Sequence, residues 1–173
     1  LDRYRGVVVG GSPFNVTDAM KSDEQQRVER NLESLATRAM SGDIAAFFTC
    51  YGIGVVTRML VGVVGLGAPE PAAAVVVTTT DAARTDPVFA PVGSDLVVFA
   101  AHKEGATDVP PGAELLARGE VCPVQAYRVG THLYATQFHP EPTPQDFADR
   151  MVFYRTKGYF DAERFDAVQA QVL

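Results

Sequence analysis

The chain has 173 residues, 47% hydrophobic and 21% charged, with 21 acidic against 15 basic side chains. That length is enough for one domain, spanning residues 1–173, whose core needs neither disulfides nor metal, and the net charge of −6 without a basic cluster argues against nucleic-acid binding. Cys50 and Cys122 form no disulfide framework, the three histidines lack zinc-ligand spacing, and the most apolar run, Ile53 to Leu66, contains Arg58 and is too short to cross a bilayer.

The expected setting is therefore a reducing, cytoplasmic one, with no cofactor, no metal and no membrane partner. No signal peptide opens the chain, but it starts at Leu1 rather than Met, which leaves a targeting segment upstream open.

Arg5 to Val9 is a β-branched run that stops at Gly10-Gly11-Ser12-Pro13, a strand running into a glycine turn. Ser22 opens a capping box with Gln25, and Asp23 and Glu24 fall in the first turn. Val28, Leu32, Leu35, Ala36 and Ala39 follow at helical spacing, which predicts an amphipathic helix from Asp23 to Met40 with a solvated acidic face, ended by Ser41-Gly42. Ile44 to Thr49 is continuously apolar, as a strand buried on both faces requires. Beyond Cys50, Val55, Val56, Met59 and Leu60 predict a helix that Gly62, Gly65 and Gly67 end. Those glycines follow a helix rather than a strand, the wrong context for a dinucleotide.

Ala72 to Thr80 and Leu96 to Ala101 read as further strands, and Val121 to Val129 with His132 to Phe138 as a hairpin about Gly130-Thr131. Helices are expected over Gln145 to Lys157 and Asp161 to Gln171, with Gly158 between them. The order implies an α/β fold, a doubly wound and mostly parallel sheet with helices on both faces. Sites in such folds lie at the carboxyl ends of strands. Gly10-Gly11, Cys50 and His139 each follow a predicted strand.

A thiol needs a neighbouring base to be an effective nucleophile near neutral pH, and the base needs an orienting group. Phe48-Thr49-Cys50-Tyr51-Gly52-Ile53-Gly54 sets a cysteine on a tight strand-to-helix turn, where the helix dipole favours a thiolate. Gln137-Phe138-His139-Pro140-Glu141 supplies a histidine and a carboxylate fixed by the proline between them. Cys50 is thus the candidate nucleophile, His139 the general base and acid, and Glu141 its orienting group. Each piece has a plainer reading: a buried apolar cysteine, a surface turn, and for Gly10-Gly11 a tight turn with no role. Beside a nucleophile, glycine N–H groups can instead approach an oxyanion. His102 either lines the same cleft or marks a solvated strand end. Cys122 and His132 call for no functional account.

Val8-Val9-Gly10-Gly11-Ser12-Pro13, Thr49-Cys50-Tyr51-Gly52, Ala101-His102-Lys103-Glu104 and Tyr134-Ala135-Thr136-Gln137-Phe138-His139-Pro140-Glu141, in that order, resemble the class I glutamine amidotransferases. The tail around Gly158-Tyr159-Phe160 resembles the stand-alone, GMP-synthetase-like members. The resemblance implies a flavodoxin-like sheet and hydrolysis of the side-chain amide of L-glutamine through a γ-glutamyl thioester on Cys50. It implies an oxyanion hole from the backbone N–H groups of Gly11 and Tyr51, substrate contacts at Gly10, Gly54 and His102, and ammonia passed to a synthetase partner.

The chain departs from the family at three places. Phe48 stands where glycine is usual, Gly54 stands where many members carry glutamine, and only nine residues precede Gly10, so an N-terminal strand-helix-strand unit is expected to be missing. Gly54 keeps open a hydrolase of another γ-glutamyl or peptide-like amide. Phe48 and the short start keep open a regulatory pseudo-enzyme.

Overall fold

The computed structural model describes residues 3–154, 163 and 165–173. Strands are β1 (Gly6–Val9), β2 (Ala45–Thr49), β3 (Val64–Gly65), β4 (Glu70–Thr79), β5 (Asp95–His102), β6 (Gly105–Ala106), β7 (Ala113–Gly119), β8 (Ala126–Val129) and β9 (Leu133–Thr136). Helices are α1 (Asp23–Met40), α2 (Tyr51–Met59), α3 (Pro144–Tyr154) and α4 (Phe165–Val172). The expected Gly158 break, the 155–162 part of the two C-terminal helices and the Gly158-Tyr159-Phe160 tail lie outside the described residues.

Seven strands form one sheet in the order β1-β2-β9-β8-β7-β4-β5, while β3 and β6 make a separate two-stranded ribbon. The β1–β2 and β2–β9 pairs are parallel, and the remaining four pairs are antiparallel. Following the reversals, β1, β2, β9, β7 and β5 run one way and only β8 and β4 run the other, so five of the seven strands share a direction. The carboxyl ends of β1, β2, β9 and β5 consequently open on the same side of the sheet. That side carries every residue that the sequence singles out for chemistry.

The α1 boundaries match the helical spacing, and Ser22 caps the helix by accepting a hydrogen bond from the Gln25 N–H at 3.1 Å. The Gln25 side chain donates to the Asn15 carbonyl instead, at 2.8 Å, and ties the loop after β1 to the helix. One face of the sheet is covered by α1 and α2, where Leu35, Ala36, Ile53 and Val56 pack on Phe48, Tyr127, Leu133 and Ala135. On the opposite face, two short 3-10 turns bring Ala83 and Phe89 onto Val77, Leu116 and Tyr134. Helices α3 and α4 close over Ala72 of β4 and Phe99 and Ala101 of β5.

No described helix is long and apolar enough to cross a membrane. The hairpin is shorter than its apolar pattern, limited to β8 and β9 with Gly130 at φ 60° in the turn.

Candidate active site

Cys50 joins β2 to α2 with φ 50°, a positive value that L side chains rarely adopt and that costs on the order of 1–3 kcal/mol. Neighbouring strands hold it there. The Cys50 N–H donates to the Thr136 carbonyl of β9 at 2.8 Å, and the Thr49 hydroxyl donates to the Val9 carbonyl of β1 at 3.1 Å. Phe48 fits this tight turn because its ring is wholly buried in the α1/α2 core. Gly52 makes the room: a Cβ there would lie 2.9 Å from that of Phe48.

His139 is delivered by the chain that continues β9. Its N–H donates to the Phe99 carbonyl of β5 at 2.8 Å, and its Nδ1 is paired with Glu141 Oε1 at 2.7 Å. That leaves Nε2 on the side of Cys50: it lies 3.4 Å, and the Cys50 Cβ 3.3 Å, from the position of a Cβ on Gly11, and both side chains line one cavity. Phe147 of α3 tilts against the imidazole at 6.4 Å between centroids and stacks on Phe99 at 4.7 Å, which walls the ring in. Burial by itself would lower the His139 pKa, but the interactions with Cys50 and Glu141 outweigh it and raise the value to about 9. Burial would raise the Glu141 pKa, and here too the partners prevail: His139, with Arg150 adding a smaller share, holds it below the usual carboxylate range. Near neutral pH the imidazole is therefore cationic beside the sulfur.

Gly11 packs into the angle between these groups. A Cβ on it would sit 2.8 Å from His139 Cε1 and 3.3 Å from Cys50 Cβ, so no other residue fits without moving the ring. Gly10 has open space around it. Tyr51 provides the first N–H of α2, which has no partner within its helix by geometry. Its hydroxyl is anchored to Glu29 of α1 at 2.8 Å, and burial and that carboxylate both push the phenol pKa up. The Cys50 thiol lies 3.8 Å from the Ala101 carbonyl at the end of β5.

His102 is buried with both ring nitrogens engaged, Nε2 to Glu70 at 2.7 Å and Nδ1 to the Glu104 carbonyl at 2.9 Å. It lines a small cavity beside the thiol, yet it is no solvated strand end and has no ring nitrogen to offer a ligand. The space that a side chain at Gly54 would occupy is taken by Val16, 3.2 Å from the position of its Cβ, and Glu104 at 3.6 Å. Glu104 accepts from the Val16 N–H at 2.7 Å and from the Thr17 N–H and hydroxyl at 3.0 and 2.8 Å. Arg58 donates to the Val16 carbonyl as well. The loop after β1 is thereby locked over the first turn of α2.

Cys50, His139, Glu141, Gly11 and the start of α2 come together around one opening, with Gly10 at its rim; His102 and Gly54 lie behind it. Sequence reading did not single out Val16, Glu104, Phe147 or Arg150. Glu104 stands within the Ala101–Glu104 block, whereas Arg150 and Phe147 lie in an ordinary amphipathic helix without a motif. Cys122 is fully buried, bonded to the Val124 carbonyl at 3.7 Å, with its thiol pushed up to about 11 by burial.

Residues 1–157 match the family model of Glutamine amidotransferase class-I. Gamma-glutamyl peptidase 3 of Arabidopsis thaliana is 27% identical over 146 residues, covering 82% of this chain and 56% of that protein. A glutamine-hydrolyzing GMP synthase subunit of Thermococcus kodakarensis is 32% identical over 93 residues, covering 53% of this chain and 48% of that protein. The chain thus spans about half the length of these curated relatives. Among solved structures, a glutamine amidotransferase from Thermotoga maritima superposes with a TM-score of 0.80 at 19% identity, over 99% of this chain and 71% of that one. A putative GMP synthase subunit from Thermoplasma acidophilum gives 0.64 at 23% identity, over 90% and 75%. At these identities the structures speak to the fold.

Proposed function

The chain belongs to the class I glutamine amidotransferase family, and from that premise we propose that it hydrolyses the side-chain amide of L-glutamine in a reducing cytoplasm. The observation that carries the reading is the strained Cys50 facing a His139 already paired with Glu141. The Cys50 thiolate attacks the amide carbon, and the developing oxyanion is held by the N–H groups of Gly11 and Tyr51. The C–N bond then breaks as the His139 imidazolium gives its proton to nitrogen, so ammonia departs and a γ-glutamyl thioester remains. Water, deprotonated by His139, attacks the thioester and releases glutamate and the thiolate. Glu141 keeps the imidazole oriented throughout. The ammonia passes to a synthetase partner, a step supported by the likeness to the glutamine-hydrolyzing subunit of GMP synthase.

Ammonia release from L-glutamine, measured beside Cys50→Ala, tests this. Cysteine-dependent release supports it, and release that survives the substitution contradicts it. A second reading is favoured by one observation: Val16 and Glu104 fill the place beside Gly54. With that side chain replaced by protein, the same chemistry acts on another γ-glutamyl amide, in keeping with the similarity to gamma-glutamyl peptidase 3.

A further inference from the structure

The thiol stands between two unequal cavities. One, behind it towards Gly54 and Glu104, measures about 20 Å³, room for about one water. The other, about 540 Å³, runs from Gly10 and Gly11 past Cys50 and His139 to α3. It falls in the size range of pockets that bind drug-sized ligands and far exceeds the needs of one small amino acid. Stereochemistry gives it a direction. The departing nitrogen must face the imidazole that protonates it, so the part of the cavity beyond His139 receives the leaving half of the substrate. For glutamine that half is ammonia, which needs no pocket.

Phe147, which lies against the imidazole, lines the cavity together with Ala72 and Met151, all apolar, and with Arg150. The Arg150 guanidinium is half exposed and stands 3.6 Å from Glu141, near enough to steady that carboxylate yet beyond a tight bidentate pair. Its remaining donors are suited to a second carboxylate. An apolar wall beside a guanidinium complements an amine that carries both an apolar side chain and a carboxylate, which is an amino acid.

Resting on the second reading above and its thioester chemistry, we propose that the preferred substrate is an acylated amino acid, a γ-glutamyl amide of an apolar amino acid, with Arg150 binding the carboxylate of the departing residue. Sulfur bonds to the γ-carbonyl carbon and the C–N bond breaks. His139 then protonates the nitrogen, and the free amino acid leaves where ammonia would. Water hydrolyses the thioester as before, and no oxidant or further reactant is needed.

The test compares γ-glutamyl-L-methionine with L-glutamine on the full chain, following free methionine and ammonia, in wild type, Arg150→Met, Arg150→Lys and Cys50→Ala. The dipeptide should be preferred by on the order of tenfold or more in kcat/KM, and Arg150→Met should raise its KM by on the order of tenfold to a hundredfold, the range for a hydrogen bond to a charged group. Arg150→Lys should recover part of this. γ-Glutamyl-3-(methylthio)propylamine, which lacks the carboxylate, should be much less sensitive to Arg150→Met, whereas an effect exerted through Glu141 would strike both substrates and fall on kcat. Preference for glutamine, or equal losses on the two amides, overturns the inference while leaving the thioester reading intact. Dipeptide cleavage that persists in Cys50→Ala, or no cleavage of either substrate, overturns both.

Discussion

The chain contains two cysteines and, among the described residues, two His–Glu pairs of the same 2.7 Å separation, and the two sets lie in opposite circumstances. Around Cys50, the backbone is strained, Gly11 leaves space, and His139 has one nitrogen on Glu141 and the other towards sulfur. Around Cys122, the thiol is buried and its pKa is raised, while His102 spends both nitrogens on Glu70 and the Glu104 carbonyl. Gln125 adds a third bond to Glu70 at 2.6 Å. A histidine paired with a carboxylate is therefore no signature of chemistry by itself. What separates the two is an unspent nitrogen facing a thiol at an open cavity; the other pair braces β4 against β5.

The largest expected effect breaks the symmetry of the thiols. Cys50→Ala should lower kcat by on the order of 10⁴-fold or more, as removal of a nucleophile does, whereas Cys122→Ala should keep activity and cost about 1 kcal/mol of stability in denaturant melts. Gly11→Ala comes next. The new methyl must displace His139, and a misplacement on that scale costs on the order of 100-fold in kcat, with circular dichroism expected to remain native.

The two carboxylates should then part company by pH. The His139 imidazolium, with its pKa raised to about 9, loses its proton as pH climbs through that value, so the rate should fall on an alkaline limb near 9. Glu141→Gln removes a group that holds the proton on, and should move that limb downwards while lowering kcat. Because the folded pKa is raised from 6.5, the pair's contribution to stability is complete below about pH 6.5 and is lost as pH rises through about 9. Glu70→Gln should instead leave the position of the limb alone and cost on the order of 2 kcal/mol of stability, from a weakened buried hydrogen-bond network. Smallest is Cys50→Gly, which relieves the positive φ and should be about 1 kcal/mol more stable than Cys50→Ala. No equivalent gain is expected at Cys122.

The parallel half of the sheet was the legible half. The β1 run, the apolar β2 and the periodic α1 obey local rules, and a glycine, a cysteine or a histidine after each strand falls where such sheets build sites. Strand β7, Ala113–Gly119, escaped notice because Glu114 and Arg118 interrupt any alternation; Glu114 is paired with Arg128 across the strand pair. The two-residue β3 and β6 are too short to leave a pattern. Phe48 looked misplaced in a tight turn because Gly52, which admits its ring, acts through packing rather than through the backbone. The filling of the Gly54 side by Glu104 joins positions 88 residues apart at Val16, beyond any local signal. Arg150 enters the cavity only because α3 folds back over β4 and β5.

The most direct test of the central claim is to mix the protein with L-glutamine or γ-glutamyl-L-methionine, quench in acid within one turnover, and map any adduct by peptide mass. A γ-glutamyl thioester on the Cys50 peptide, absent from Cys122 and lost in His139→Ala, is the predicted result. Turnover with no adduct at Cys50, or an adduct at Cys122 instead, would contradict the account.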